Sequence, residues 1–326
     1  MSGRTIIIGT GSSLPRKILT NQDLEKMVDT SDEWITTRTG IKTRRIAGKG
    51  EETSKLAAAA ARQALDMAGL QADQLDMIVV GTITPDMTMP SCACLVQKEI
   101  GAVNAFALDL NAACSGFLYG VDLADKYIRH APNMKILVVG AENLSARTNW
   151  QDRNTCVLFG DGAGAAVLTG GTDDRGLVES NLYSDGRLWR LLSMEGAPSM
   201  NPDLVRKDND GSYIKMAGPD VFKHAVRSMG DAVSRLLERQ GVSPAALRLV
   251  IPHQANIRIL NALADRLGVP LEKVYINMVK YGNTSAASLP IALDEANRAG
   301  LLQHGDQLLL CAFGGGFTWG AALVRW

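Results

Sequence analysis

The sequence predicts an α/β fold built by duplication, with two mixed, mainly parallel sheets packed face to face around shared central helices. Three observations carry this reading. Apolar strand-like runs alternate with helix-like stretches, the pattern of sheets covered by helices. The same order of elements recurs at a nearly constant spacing. Each half also ends in a similar strand, Gly164-Ala-Ala-Val-Leu168 and Gly320-Ala-Ala-Leu-Val324, whose small residues let layers approach closely.

In the first half a helix over Glu52–Ala68, stopped by Gly69, leads to the apolar strand Leu75–Val80. In the second half Asp220–Gln240, stopped by Gly241, leads to Leu247–Ile251. The helical stretches Cys92–Ile100 and Ile257–Leu267 follow. Strands Ala105–Leu110 and Val274–Met278 then run into small-residue loops and further helices. Lys135–Val139 and Gln307–Cys311 come next as apolar strands. Leu75 and Leu247 lie 172 positions apart, Leu108 and Ile276 168, and Leu137 and Leu309 172. The halves are therefore expected at 1–172 and 173–326.

A chain of 326 residues with 46% apolar content has enough material for a large core. Its 34 basic and 34 acidic side chains cancel, which leaves no general positive field for nucleic acid. The apolar run Thr5-Ile-Ile-Ile8 is too short for a signal peptide. No stretch reaches the roughly 20 apolar residues that span a bilayer. Five cysteines, at 92, 94, 114, 156 and 311, are an odd number in mostly apolar surroundings, which fits free thiols in a reducing compartment. Cys92-Ala-Cys94 has no second pair or nearby His to complete a metal site. His130, His224 and His304 lie in polar or helix-end contexts and are expected to face solvent. A cytoplasmic protein off the membrane is the expectation.

Three loops at predicted strand ends carry reactive groups: Asn111-Ala-Ala-Cys114-Ser-Gly, Pro252-His253-Gln254-Ala-Asn256 and Tyr281-Gly-Asn283-Thr-Ser-Ala. Open α/β sheets bind ligands at such ends. Cys114 precedes a helical pattern from Phe117, and a helix N-terminus is expected to lower its pKa and favour the thiolate. Taken alone, Cys114 fits a buried structural thiol, His253 a hydrogen-bonded core residue and Asn283 a turn residue. The Cys114 and Asn283 loops occupy equivalent places in the two halves, 169 positions apart. A fourth element, Phe313-Gly-Gly-Gly-Phe317, is either a tight turn or a set of backbone N–H groups open to an oxyanion. Together the four point to covalent acyl chemistry.

These residues sit in longer strings: Ile6-Ile-Ile-Gly-Thr-Gly-Ser-Ser-Leu-Pro15, Ser31-Asp-Glu-Trp-Ile35, Arg38-Thr-Gly-Ile41, Phe159-Gly-Asp-Gly-Ala-Gly164, His253-Gln-Ala-Asn256 and Phe317-Thr-Trp-Gly-Ala-Ala-Leu-Val-Arg-Trp326. In that order, and over nearly the whole chain, they resemble the β-ketoacyl-acyl-carrier-protein synthase III family of the thiolase-like superfamily. The resemblance implies a five-layer αβαβα sandwich and a homodimer. It implies decarboxylative condensation of an acyl-CoA primer with malonyl-acyl carrier protein, the step that initiates fatty acid synthesis, without metal or redox cofactor. By the same resemblance Cys114 is the nucleophile, and His253 and Asn283 stabilise the enolate left by decarboxylation. The N–H groups of Cys114 and Gly315 form the oxyanion hole. Trp34 and Arg153 sandwich the adenine of CoA, Thr30 and Arg38 lie near the nucleotide, and Gly218 and Asn256 line the pantetheine arm. Lys223, Gln254, Arg258 and Arg266 are implied to meet the carrier protein. Arg258 is opposite the Leu260/Leu263/Leu267 stripe and should face solvent.

Two departures bear on primer size. Met89 stands where many members carry a Phe that reaches across the dimer to cap the acyl pocket, whose wall also includes Phe313. Gly186–Ser212 departs from the usual pattern and is a few residues longer. Two competing readings keep the fold: an acyl-Cys hydrolase or transferase of secondary metabolism with a non-malonyl acceptor, and a non-catalytic partner subunit. The intact His253/Asn283 pair speaks against the first, and retention of all reactive groups against the second.

Overall fold

A computed structural model describes residues 3–196 and 212–326. One sheet has the strand order Thr5–Ser13, Gly162–Gly170, Ile136–Glu142, Met77–Gly81, Phe106–Leu110. The other has the order Leu249–Pro252, Gln307–Gly314, Thr318–Arg325, Gly176–Ser184. Both are mixed, but they are not mainly parallel: three strand pairs run parallel and four antiparallel. The Gly-Ala strands cause this, because each returns antiparallel to the strand before it.

Strand side chains alternate between two faces, and the burial pattern follows that alternation. On the first sheet Met77, Val79, Ile136 and Val138 face inward, while Ile78, Val80, Leu137 and Val139 face outward. On the second, Leu308 and Leu310 face inward, and Leu309 and Cys311 outward. Every one of these residues is buried, as strands covered on both faces require. Helices Thr53–Ala68 and Cys92–Ile100 cover the first outer face, and Gly218–Gln240 and Ile257–Leu267 the second. Helices Gly116–His130 and Ser288–Arg298 fill the space between the sheets. This is the five-layer sandwich. The close approach expected of the Gly-Ala strands is seen at Gly164, where a Cβ would come within 2.6 Å of the Ile291 nitrogen.

The internal spacing is regular. Strands Met77–Gly81 and Leu249–Pro252 start 172 positions apart, as do the two central helices. That register pairs Asn111 with Asn283 and Cys114 with Ala286, so the loops correspond but Cys114 and Asn283 do not. Val274–Met278 is not a strand. Val274 makes one isolated bridge to Val250, and Met278 already begins the helix Met278–Tyr281. The cause is Gln254, whose carboxamide binds the backbone of Tyr275, Asn277 and Met278 and draws the segment into a loop.

All five cysteines are free thiols. Among the described residues no cluster of three or more His, Cys, Asp or Glu is arranged to hold a metal, and no helix is long and apolar enough to cross a membrane. His130 and His304 are exposed, but His224 is half-buried, its ring 5.6 Å from that of Phe317.

Candidate active site

The loops at the strand ends converge on one cavity of about 1360 Å³, whose wall includes Cys114, His253, Asn283, Phe313 and Gly315. Cys114 lies in the single helical turn Ala113–Ser115 that feeds helix Gly116–His130. Thr318 fastens this turn to the neighbouring hairpin: its hydroxyl donates to the Ala112 carbonyl at 2.7 Å, and its carbonyl accepts from Ser115 Oγ at 3.1 Å. Only glycine fits at 314, because a Cβ there would lie 2.6 Å from the Cys114 nitrogen. The glycine-rich turn is thereby held against the backbone N–H of the cysteine.

The thiol does not have the lowered pKa expected from its position. Burial pushes it up to about 12, with the Glu142 carboxylate acting in the same direction and the Ser285 hydroxyl opposing. Loss of hydration around the sulfur is the first cause of that rise.

His253 directly follows strand Leu249–Pro252, and its N–H donates to the Cys311 carbonyl at 2.8 Å. The ring is 3% exposed, and Nδ1 lies 2.6 Å from Ser288 Oγ. Burial lowers its pKa to about 4, so the imidazole is neutral at pH 7. Asn283 follows Gly282, whose φ of +68° and a prospective Cβ contact of 2.7 Å to the Leu158 carbonyl require glycine. Asn283 exchanges backbone hydrogen bonds with Leu158 and Gly160. Its Oδ1 accepts from the Ser285 N–H at 2.8 Å, so the donor end of the amide is what it offers the cavity.

Trp34, Arg38, Gly218 and Asn256 also line the cavity. The Arg153 and Arg38 guanidinium carbons lie 4.3 and 4.8 Å from the Trp34 ring centroid, within cation–π range. Arg153 also pairs with Asp29 at 3.6 Å. Thr30 is not on the wall, and its buried hydroxyl has no hydrogen-bond partner.

Other expected residues separate. Gln254 is buried, and four backbone groups use its carboxamide. It shapes the loop and offers nothing to a protein partner. Lys223 and Arg258 are exposed, with Arg258 over the Phe222 ring at 5.2 Å. Arg266 is also exposed, but its charge is paired with Asp231. Met89 is 85% exposed and off the cavity of a single chain, whereas Thr88 lines it. Of the departing segment 186–212, Leu192, Ser193, Met194, Glu195 and Gly196 line the cavity and residues 197–211 lie outside the described residues.

Sequence reasoning missed Glu142, Ser285 and Ser288. Ser285 stands inside the string read for Asn283 alone, and Ser288 is three positions farther on. Glu142 had one signal: a carboxylate ending the apolar strand Ile136-Leu-Val-Val-Gly-Ala141.

Family profiles described as 3-oxoacyl-[acyl-carrier-protein] synthase III match residues 108–186, and as its C-terminal part residues 237–326. The chain is 59% identical over 321 residues to a β-ketoacyl-[acyl-carrier-protein] synthase III of Desulfotalea psychrophila, covering 98% of this chain and 99% of that one. It superposes on the crystal structure of 3-oxoacyl-[acyl-carrier-protein] synthase III from Aquifex aeolicus with a TM-score of 0.93 at 52% identity, covering 99% and 100% of the two chains. A priming β-ketosynthase from the R1128 polyketide pathway matches at 34% identity and a TM-score of 0.92, covering 99% and 97%.

Proposed function

The chain belongs to the 3-oxoacyl-[acyl-carrier-protein] synthase III family, and on that premise we propose that it condenses an acyl-CoA primer with malonyl-acyl carrier protein and so initiates fatty acid synthesis. The observation that carries the reading is the convergence of Cys114, His253, Asn283 and the Gly315 turn on one cavity that Trp34 also lines.

Cys114 attacks the acyl-CoA thioester, expels the CoA thiolate and keeps the acyl group. The N–H groups of Cys114 and Gly315 hold the oxyanion of that step. Malonyl-acyl carrier protein then enters, and its thioester oxygen is held by the amide of Asn283 and by His253. The Ser288 O–H, 2.6 Å from His253 Nδ1, is assigned as donor to that nitrogen, because the malonyl carbonyl needs the ring proton on Nε2. A neutral imidazole with a pKa near 4 stays a donor throughout the working range. Loss of CO₂ leaves an enolate on that oxygen without a strong base. The enolate carbon attacks the acyl-Cys114 carbonyl, and the 3-oxoacyl product leaves on the carrier protein.

The primer is acetyl or a somewhat longer chain, for which the apolar walls Leu192, Met194, Ile214, Met216 and Met229 give support. CoA binds by adenine insertion between Trp34 and Arg153, with Arg38 on its charged part. The carrier protein, an acidic partner, meets Lys223 and Arg258. A homodimer is supported by the sheet edge Phe106–Leu110 and the exposed apolar side chains Met87, Met89, Val103 and Phe106 around it. Met89 then belongs to the interface, from which it reaches the partner's acyl pocket. The halves 1–172 and 173–326 are copies of one unit, and the enzyme works in the cytoplasm without metal or redox cofactor.

The test is intact-protein mass spectrometry after incubation with acyl-CoAs from acetyl to dodecanoyl, beside Cys114→Ala. The expected result is an adduct that depends on Cys114, is discharged by malonyl-acyl carrier protein, and forms fastest with the natural primer. Release of free acid faster than malonyl-dependent discharge would turn the reading toward a hydrolase.

A further inference from the structure

The turn that follows Asn283 is kept in a shape its own residues do not favour. Ser285 has a φ of +49°, a left-handed backbone that a residue with a side chain rarely adopts. Its N–H donates to Asn283 Oδ1 at 2.8 Å. A backbone N–H can only donate, so this bond tells the two ends of the Asn283 amide apart. The Ser285 hydroxyl donates to Glu142 Oε1 at 3.0 Å. Glu142 is fully buried at the end of strand Ile136–Glu142. Its Oε2 accepts from Thr84 Oγ1 at 2.5 Å, the Ile83 N–H at 3.2 Å and Thr82 Oγ1 at 3.3 Å. Thr84 is itself fixed, its Oγ1 accepting from the Asn143 N–H at 2.8 Å and its carbonyl from Thr53 Oγ1 at 2.6 Å. The carboxyl group is thus anchored in the first half, and through Ser285 it holds a turn of the second.

We propose that Glu142 is a positioning residue for Asn283 and acts through Ser285 as a tether. The hydroxyl anchored on the carboxyl group keeps Ser285 in the left-handed region. That sets the peptide whose N–H binds Asn283 Oδ1, and leaves Asn283 Nδ2 as the donor presented to the malonyl thioester oxygen. Without the tether Ser285 relaxes toward negative φ and its N–H turns off the amide. Asn283 is then free to rotate and to present oxygen where the enolate needs a donor. No proton moves along the tether, because Ser285 has one hydroxyl proton and Glu142 holds it. The inference rests on the condensing reading, since Asn283 has this task only there.

The other bonds of Asn283 do not orient its amide. Its N–H donates to the Leu158 carbonyl at 2.8 Å, and its carbonyl accepts from the Gly160 N–H at 3.0 Å. These place the backbone and leave the side chain to turn over. A carboxyl group suits the tether because its two oxygens take four donors from both halves at once. The equivalent turn of the first half is fastened differently. Ala113 also has a positive φ, of 45°, but its side chain carries no polar atom, and Thr318 holds that turn by its backbone and by Ser115.

Ser285→Ala and Glu142→Ala cut the tether, whereas Glu142→Gln keeps it. In the glutamine variant the Ile83 N–H holds the amide oxygen on its own side, and the NH₂ donates to Ser285 Oγ. Glu142→Ala leaves a polar space that water can fill; if it does not fold, Ser285→Ala, which removes a single oxygen, carries the test alone. Two steps are measured by quench and intact mass: acetylation of Cys114 by acetyl-CoA, and discharge of acetyl-Cys114 by malonyl-acyl carrier protein. Ser285→Ala should slow discharge about 30-fold more than it slows loading. The concentration of malonyl-acyl carrier protein giving half the maximal rate should stay within about threefold of wild type. Glu142→Gln should discharge within about threefold of wild type. In an Asn283→Ala background, Ser285→Ala should cost no more than about twofold further, because the group it positions is gone. The tether alone is overturned, with the condensing reading intact, by any of four results: discharge by Ser285→Ala at the wild-type rate, equal loss in both steps, Glu142→Gln as slow as Ser285→Ala, or the full Ser285→Ala loss repeated in the Asn283→Ala background. Wild-type acetyl-Cys114 that malonyl-acyl carrier protein does not discharge would overturn the condensing reading, and the tether with it.

Discussion

The turns Ala113–Ser115 and Ser285–Ala287 stand 172 positions apart, and each begins with a non-glycine residue at positive φ, Ala113 at 45° and Ser285 at 49°. Two positions before each is an Asn whose Oδ1 accepts the backbone N–H of that residue, Asn111 at 3.4 Å and Asn283 at 2.8 Å. Each turn feeds one of the two central helices. On this common backbone the side chains have diverged. The first turn presents Cys114 to the cavity, where its counterpart in the second is the fully buried Ala286. Beside the first lies Gly314, beside the second Glu142, again 172 positions apart. One turn has become an open nucleophile with a glycine neighbour, the other a closed support with a carboxylate neighbour. Duplication supplied the geometry twice, and the chemistry needs it only once.

The largest effect should come from removing what the first turn alone carries. Cys114→Ala should lower acyl loading and condensation by at least about a thousandfold. The small, half-buried substitution leaves the layers intact, so the circular dichroism spectrum and the thermal midpoint should hardly move. A variant that still loads acyl groups at a measurable fraction of the wild-type rate would place the nucleophile elsewhere.

Next comes the Asn that the second turn holds in the cavity. Asn283→Ala removes a donor to the enolate oxygen, and condensation should fall about 100- to 1000-fold. Loading of Cys114 should stay within about threefold, since the oxyanion of that step belongs to the N–H groups of Cys114 and Gly315. Measuring the two half-reactions separately decides it: equal loss in both would mean that Asn283 acts by holding the Ser285 N–H rather than by touching substrate.

The buried acid and the buried base also make opposite predictions for stability. Glu142 has its folded pKa raised from 4.5 to about 7. The folded state therefore prefers the protonated form; stability is greatest below 4.5 and is lost as pH rises through 7. Glu142→Gln should thus be more stable than wild type by on the order of 3 kcal/mol at pH 9 and by nothing near pH 4.5. His253 has its folded pKa lowered from 6.5 to about 4, so its effect is a loss of stability as pH falls from 6.5 through 4. Urea midpoints from pH 4.5 to 9 would test both signs. A Glu142→Gln variant less stable at pH 9 would show that the carboxylate is a structural anchor and not a functional burden.

Much of this molecule was legible in the sequence because the signals were local and repeated. Helices Cys92–Ile100 and Ile257–Leu267 end where their glycines say they should, and the strand cores follow from continuous apolar runs bounded by turn residues. The three reactive loops were legible because small residues surround each functional side chain. Non-local features were not. Val274–Met278 has a strand-like apolar composition, yet a buried glutamine 20 positions earlier binds its backbone and bends it away. The upward shift of the Cys114 pKa depends on what encloses the helix start, which no window of sequence contains. Glu142 meets Ser285 across 143 positions, so its meaning appears only once the halves are folded together.

The smallest effect should be at Asn111, the first turn's copy of Asn283, and it is the most direct test of the asymmetry. Asn111 is exposed on the cavity rim, and its hydrogen bond to Ala113 N–H, at 3.4 Å, is at the long end of the range. It holds neither the sulfur nor the malonyl carbonyl. The Cys114 turn is fastened instead by Thr318 and by the fit of Gly314. Asn111→Ala should change loading and condensation by less than about threefold, with stability within about 0.5 kcal/mol. Side-by-side measurement with Asn283→Ala in both half-reactions is the check. Comparable losses would mean that the two asparagines still do the same job, and that the halves diverged only at Cys114. A small loss at 111 beside a large one at 283 would locate the enolate site in the second half, as its burial and shorter hydrogen bond imply.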